Sequence, residues 1–280
     1  MLQPIDDVNL GQAVDLLARG FPRALRHFWE RGVERVARYN ASHGRPGIGQ
    51  LLMAGGKPTG VVLTLHSLSQ PTRGTRQMVT NLSSWYIDPE HRHLAPLMLR
   101  NMVRSKEMVF TDLSPSDRVI PMLAPLGFRP LNAGLTAIAL PFAALRPPRG
   151  HVTGLEDVDR QALDPSTLTQ LEQHAQFGAI AAVLYANGRP NPLLFIERTI
   201  RKLPAVQLVY CEDNSVFRAH LQDIARFLLG KRKLLLVMDI PPDGQAPGLP
   251  FPRRGMKFAK GGCFENKTDY AGSEMLVLNP

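Results

Sequence analysis

The 280-residue sequence predicts an α/β (α+β) protein of two domains, each a sheet with flanking helices. Three observations carry that expectation. Apolar residues alternate along the chain between helical spacing and short strand-length runs. A strand, helix, strand order, which favours a parallel crossover, occurs in both halves. Between them Leu145-Arg146-Pro147-Pro148-Arg149-Gly150 denies both helix and central strand, dividing the chain into residues 1–145 and 151–280.

Each element follows from its residues. Val8, Leu10, Val14, Leu16 and Leu17 stand at helical spacing over 6–19, and a second helix opens at Pro22 and runs through Phe28, Trp29, Val33 and Val36. Short apolar runs over 51–54 and 60–65 flank Gly55-Gly56-Lys57-Pro58, a hairpin signal because glycine supplies the positive φ of tight turns. A strand over 81–87 places Leu82, Ser84 and Tyr86 on one face and stops at Asp88-Pro89, where proline ends the ladder. Leu94, Leu97, Met98 and Val103 mark a helix over 93–104, followed by a buried strand over 108–113. A helix over 117–126 ends at Gly127, and a last strand spans 133–140. In the second half the expected order is a helix over 168–177, strands over 193–196 and 205–210, a helix over 216–229 and a strand over 234–238. The Pro- and Gly-rich stretch 241–255 reads as an irregular loop and the tail 275–278 as a short strand.

Composition narrows the function. With 44% hydrophobic residues the chain is too apolar to be disordered, and no apolar stretch reaches the length of a membrane span. The first residues, with Asp6 and Asp7, lack a signal peptide's order, so a soluble, cytoplasmic protein is expected. Net charge is +9, and residues 1–150 hold 18 Lys and Arg against 10 Asp and Glu, so the first half is the one suited to an anion. Cys211 and Cys263 have no metal-ligand spacing and read as ordinary thiols. Asp88, Glu90, His91 and His93 crowd one turn without a distant ligand, so no metal site is expected.

The run Trp85-Tyr86-Ile87-Asp88-Pro89-Glu90-His91-Arg92, with the later Leu126-Gly127-Phe128, resembles the GNAT superfamily of acyl-CoA-dependent acyltransferases over roughly residues 1–140. The second half looks like a degenerate copy. The resemblance implies two GNAT-like domains, each a mixed, mostly antiparallel sheet with flanking helices, the first binding acyl-CoA or acetyl-CoA as co-substrate and the second supporting it or shaping an acceptor pocket. A loop that leaves a strand and opens a helix aims backbone N–H groups and the positive end of the helix dipole at an anion, which in the family is the pyrophosphate of coenzyme A. The implied cofactor contacts are Ser84, Tyr86 and Ile87 on the strand, then Arg92, His93, Leu94, Ala95, Leu97 and Arg100. The family motif Arg/Gln-x-x-Gly-x-Gly/Ala reads here Arg92-His93-Leu94-Ala95-Pro96-Leu97, so a leucine stands where a small residue allows close approach, and Pro96 has no N–H. The family's tyrosine acid position holds Leu123. The polar stretch around the next strand end therefore supplies the catalytic candidates, Asp112 as base and Ser114 as proton donor. In the second half Cys211-Glu212-Asp213-Asn214-Ser215 is an acidic helix entry that competes with phosphate, so a second cofactor site is not expected.

The implied activity is transfer of an acyl group to an amine or hydroxyl of a small-molecule acceptor. The rival readings are an aminoacyl-tRNA-dependent transferase, although no nucleic-acid module is visible, and a non-catalytic GNAT-like binding or scaffold protein.

Overall fold

The computed structural model describes residues 1–69, 77–242, 244–262, 264 and 266–278. Cys263 lies outside them. By backbone contacts the chain separates into two compact units, one of Met1–Pro130, Lys257–Cys263 and Gly272–Pro280, the other of Leu131–Met256 and Phe264–Ala271.

The first unit begins with β1 (Leu2–Pro4), α1 (Leu10–Gly20), α2 (Arg26–Ser42), β2 (Gly49–Ala54), β3 (Lys57–Ser69) and β4 (Gln77–Ile87). It continues through α3 (Ala95–Met102), β5 (Val109–Asp112), α4 (Ile120–Leu123) and β6 (Arg129–Pro130). Strands β1 to β4 form an antiparallel meander and β5 joins β4 in parallel, reached through α3 as the crossover. Helix α1 buries Ala13, Val14, Leu16 and Leu17 along one stripe, and α2 buries Trp29, Val33 and Val36. Each fully buried aliphatic side chain of this kind stabilises by about 1.5–3 kcal/mol. Where α1 ends, Gly20 lies against the Tyr86 ring, and a Cβ there would fall 2.3 Å from it, so only glycine admits this contact.

The second unit holds β7 (Gly134–Ala139), α5 (Leu140–Ala143), β8 (His151–Gly154), α6 (Pro165–Gln176), β9 (Ile180–Ala186), β10 (Arg189–Ile200) and β11 (Leu203–Cys211), followed by α7 (Asn214–Ala219), α8 (Leu221–Gly230), β12 (Leu235–Ile240) and β13 (Leu249–Pro252). Its core gathers Leu184, Phe195, Val206, Phe217, Ile224 and Leu236 between the sheet and α8. The chain then contributes β14 (Phe258–Lys260) to the first sheet, β15 (Thr268–Asp269) to the second, and α9 (Glu274–Val277) to the first unit. Both sheets are mixed and mostly antiparallel, with helices beside them, as expected.

Several local expectations change. The strand expected last in the first domain, β7, pairs with β12 and β13 in the second sheet, so the Pro-rich segment 145–150 lies inside the second unit. Within that unit the Arg226 guanidinium donates to the Ala144 and Arg146 carbonyls, and the Asp223 carboxylate accepts the Arg149 N–H, pinning the segment to α8. The helix expected over 93–104 begins as a 3-10 turn, Pro89–Leu94, before α3. The helix expected over 117–126 contracts to α4 and a 3-10 turn because Pro121 and Pro125 remove amide donors; it ends at Gly127, φ +87°, as the sequence suggests. The tail is helical rather than extended, since the Ser273 carbonyl accepts the N–H groups of Leu276 and Val277 and starts a turn there.

Candidate active site

The parallel ladder between β4 and β5 runs only over 79–82 against 109–112, ending at the pair Leu82 and Asp112. Beyond it β4 continues to Ile87 on β3, while β5 stops and the chain turns away through Leu113 and Ser114. The two strands part there and form a fork. Opposite Val62, β4 bulges at Ser84, whose φ of +50° is left-handed. A bulge increases twist and re-aims the strand edge, which opens the fork further. Ser84→Val is expected to lower stability by about 1–2 kcal/mol, because a β-branched residue resists that backbone, whereas Ser84→Gly should be neutral; thermal melts check both.

A cavity of about 180 Å³ lies in the fork, lined by Phe21, Leu82 to Trp85, Asp112, Ser114 to Ser116, Val119 and Glu274. Asp112 is 7% exposed, and its carboxylate accepts the Ser114 N–H. Burial first, and then the neighbouring Glu274 carboxylate, push its pKa up to about 8, so it keeps its proton at neutral pH. Glu274 is the first residue of α9. Burial raises its pKa as well, but the Ser114 hydroxyl and the Asn81 amide both donate to its carboxylate, and the charge of the buried Lys257 also favours the ionised form. Asn81 is held in turn by the Thr111 hydroxyl at 3.0 Å. The arrangement is a pair of neighbouring carboxyls, Asp112 buried and Glu274 partly buried, in which Glu274 takes two side-chain donors and Asp112 a single backbone N–H, and this unequal support separates their affinities for a proton.

The sequence-derived residues divide between the fork and its surroundings. Ser84, Asp112 and Ser114 line the cavity together. Tyr86 faces α1 instead, its hydroxyl donating to Asp88 at 3.0 Å, while Arg19 grips the same carboxylate with two contacts of 2.9 and 3.0 Å. Ile87 is buried against Leu52, Val62 and Met98. Arg92 is exposed beyond a 3.4 Å contact to the Ile87 carbonyl, and the His93 ring rests 3.1 Å from the Glu90 carbonyl. Leu94 and Ala95 pack on the Ile87 cluster, and the Ala95 N–H is spent on the Arg92 carbonyl. Leu97 is 48% exposed; with Pro96, Arg100, Pro121, Met122, Pro125 and Leu126 it lines a groove of about 420 Å³ between α3 and α4, clear of the fork cavity. Leu123 is fully buried core. Glu274 was absent from the sequence reading; its only signal was one carboxylate opening the apolar run Met275-Leu276-Val277.

In the second unit β11 and β12 form the corresponding parallel pair, over 205–207 against 235–237. Here the chain's own β15 pairs with β11 beyond that ladder, Tyr210 opposite Asp269 and Cys211 opposite Thr268. The Asp213 carboxylate caps α7 through the Ser215 and Val216 N–H groups at 2.7 and 3.2 Å, as the acidic entry suggested. Burial pushes the Cys211 thiol up to about 12, which makes it inert as a nucleophile. Among the described residues no three His, Cys, Asp or Glu side chains gather as a metal site, and no helix is long and apolar enough to cross a membrane.

The backbone as a whole is similar to solved N-acetyltransferase structures. A GCN5-related N-acetyltransferase from Anabaena variabilis superposes with a TM-score of 0.59 at 13% identity, covering 92% of this chain and 72% of that one. The chain has a GNAT fold. Structures of similar likeness include Eis1 from Mycobacterium abscessus, with a TM-score of 0.52 at 14% identity over 93% of this chain and 73% of that one. Another, a probable N-acyltransferase from Enterococcus faecalis, gives 0.53 at 12% identity over 92% and 72%. No protein-family model and no curated protein matches the sequence.

Proposed function

We propose that the first unit is an acyl-CoA-dependent N-acyltransferase and that the fork between β4 and β5 receives the thioester, with Asp112 and Glu274 moving the protons. The observation that carries this reading is the pair of unequally supported carboxyls at the apex of the fork, on a GNAT backbone. The residues fit the donor: the unpaired edge of β4 over 83–87 can take an amide-bearing arm as an added strand, and the exposed Arg92 and Arg100 stand on the 3-10 turn and α3 that follow it. Without an amide at Pro96, and with that of Ala95 already used, phosphate binding shifts from backbone donors to these guanidinium groups.

Glu274 accepts the proton of the attacking amine as its nitrogen forms the C–N bond to the acyl carbon. Asp112 delivers its proton to the sulfur, which leaves with the electron pair of the broken C–S bond. The pair then passes the proton from Glu274 back to Asp112. Ser114 and Asn81 act as positioning residues, fixing the carboxylate of Glu274. The second unit, whose fork is filled by β15 and whose helix entry is capped by Asp213, takes no second donor and supports the first.

Calorimetry with coenzyme A and acetyl-CoA tests the reading. Micromolar binding supports it, and silence up to millimolar concentration leaves a non-catalytic scaffold. Arg92→Ala is expected to weaken coenzyme A binding by about 1–3 kcal/mol, the value of a charge-assisted contact; unchanged affinity removes Arg92 from the site.

A further inference from the structure

A space of about 700 Å³, larger than the fork cavity, lies against the sheet nearby. Its walls include Leu82 of β4, Phe110 of β5, Met102 at the end of α3 and Met108 in the loop after it, with Leu2 and Pro4 of β1. Leu82 is the residue shared by the two cavities, and with Asp112 it forms the last pair of the parallel ladder. The fork and this larger space therefore adjoin at Leu82. We propose that the space holds the tail of the transferred group, so that the donor carries an uncharged, medium-length acyl chain rather than acetyl. This rests on the reading of the fork as a thioester site.

Three further features fit that occupant. The volume falls in the range of about 300–1,000 Å³ common for ligand pockets, far more than one methyl group needs. The polar atoms of the floor are turned toward one another: His66 meets the Thr80 hydroxyl at 3.0 Å and that of Thr64 at 3.4 Å. Burial first, then the charges of Arg45 and His43, hold His66 down to about 4, so the floor is neutral at pH 7. Charge at the rim stands on the exposed Arg104 and on the Met1 ammonium, which donates to the Met53 carbonyl, and Met102 and Met108 supply flexible walls that adapt to chain length.

The test is calorimetry of the full chain with coenzyme A and with acetyl-, butyryl-, octanoyl- and dodecanoyl-CoA, alongside free octanoate. Affinity is expected to rise by up to about fourfold per methylene from butyryl to octanoyl, the effect of burying about one CH₂ each time, and then to level off as the space fills. Thr80→Phe should flatten the series while leaving coenzyme A and acetyl-CoA binding unchanged. Met108→Trp, on a loop, provides the same block should Thr80→Phe fail to fold. A flat series in the native chain that still binds coenzyme A overturns the acyl-tail assignment alone. Octanoate binding as tightly as octanoyl-CoA, with coenzyme A silent, overturns it in favour of a fatty-acid site. Silence toward every thioester overturns it together with the transferase reading.

Discussion

Glu274→Gln is expected to lower kcat for acyl transfer by about 10²–10³-fold while leaving the affinity for coenzyme A within a factor of two or so, the range for losing one positioned general base. The substitution keeps the size of the side chain, and its amide can accept from Asn81 and donate to the Ser114 hydroxyl, so folding should survive. It also removes the negative charge that helps to raise Asp112. Ser114→Ala should reduce the rate less, since Asn81 still holds the carboxylate. Steady-state rates with one amine acceptor and a thiol-release assay separate these outcomes, and equal losses in kcat and coenzyme A binding would make Glu274 structural.

Asp112→Asn has the second large effect, on both rate and stability, and its signature is a pH dependence. In the native chain kcat should fall as pH passes through about 8, because Asp112 then loses the proton it delivers to sulfur. In the variant that alkaline limb disappears and the plateau is lower. Stability also falls as pH rises. The carboxyl is raised in the folded chain from the ordinary 3.8 to about 8, so the favourable contribution of its protonated form is complete below pH about 4 and is lost as pH rises to about 8, where the folded chain must bear a buried charge. Asparagine stays neutral throughout. The melting temperature of Asp112→Asn relative to the native chain should therefore climb between pH about 4 and 8 and level off above it. A difference independent of pH would show that Asp112 does not retain its proton in the folded state.

The extent to which the sequence foretold these features follows the range of the interactions. Elements governed by their own residues emerged where their spacing placed them: α1 and α2 from their apolar stripes, the β2–β3 hairpin from its glycines, and the cap of α7 from Asp213. Asp112 and Ser114 were visible because one ends and the other follows a short buried strand. Elements created by distant pairing were not. β14 and β15 are three- and two-residue strands whose existence depends on β5 and β11, more than fifty residues away in sequence, and neither has a local period. β7 carries the same alternation whichever sheet it joins, so its partner could not be read from it. Glu274 belongs to this class: its place beside Asp112 follows from the return of the chain end to the first unit, not from any neighbour in sequence. The positive φ at Ser84 was hidden as well, since a strand bulge at serine leaves no mark in an alternating pattern.

Backbone hydrogen exchange of the native chain, with and without coenzyme A, addresses the fork directly. Amides of 83–87 that gain protection on adding coenzyme A, together with those of the 3-10 turn 89–94, would place the donor along the open edge of β4. Protection confined to the second unit, or an exchange map unchanged at millimolar ligand, would mean that the parted strands hold no thioester and that the carboxyl pair at their apex serves the fold rather than chemistry.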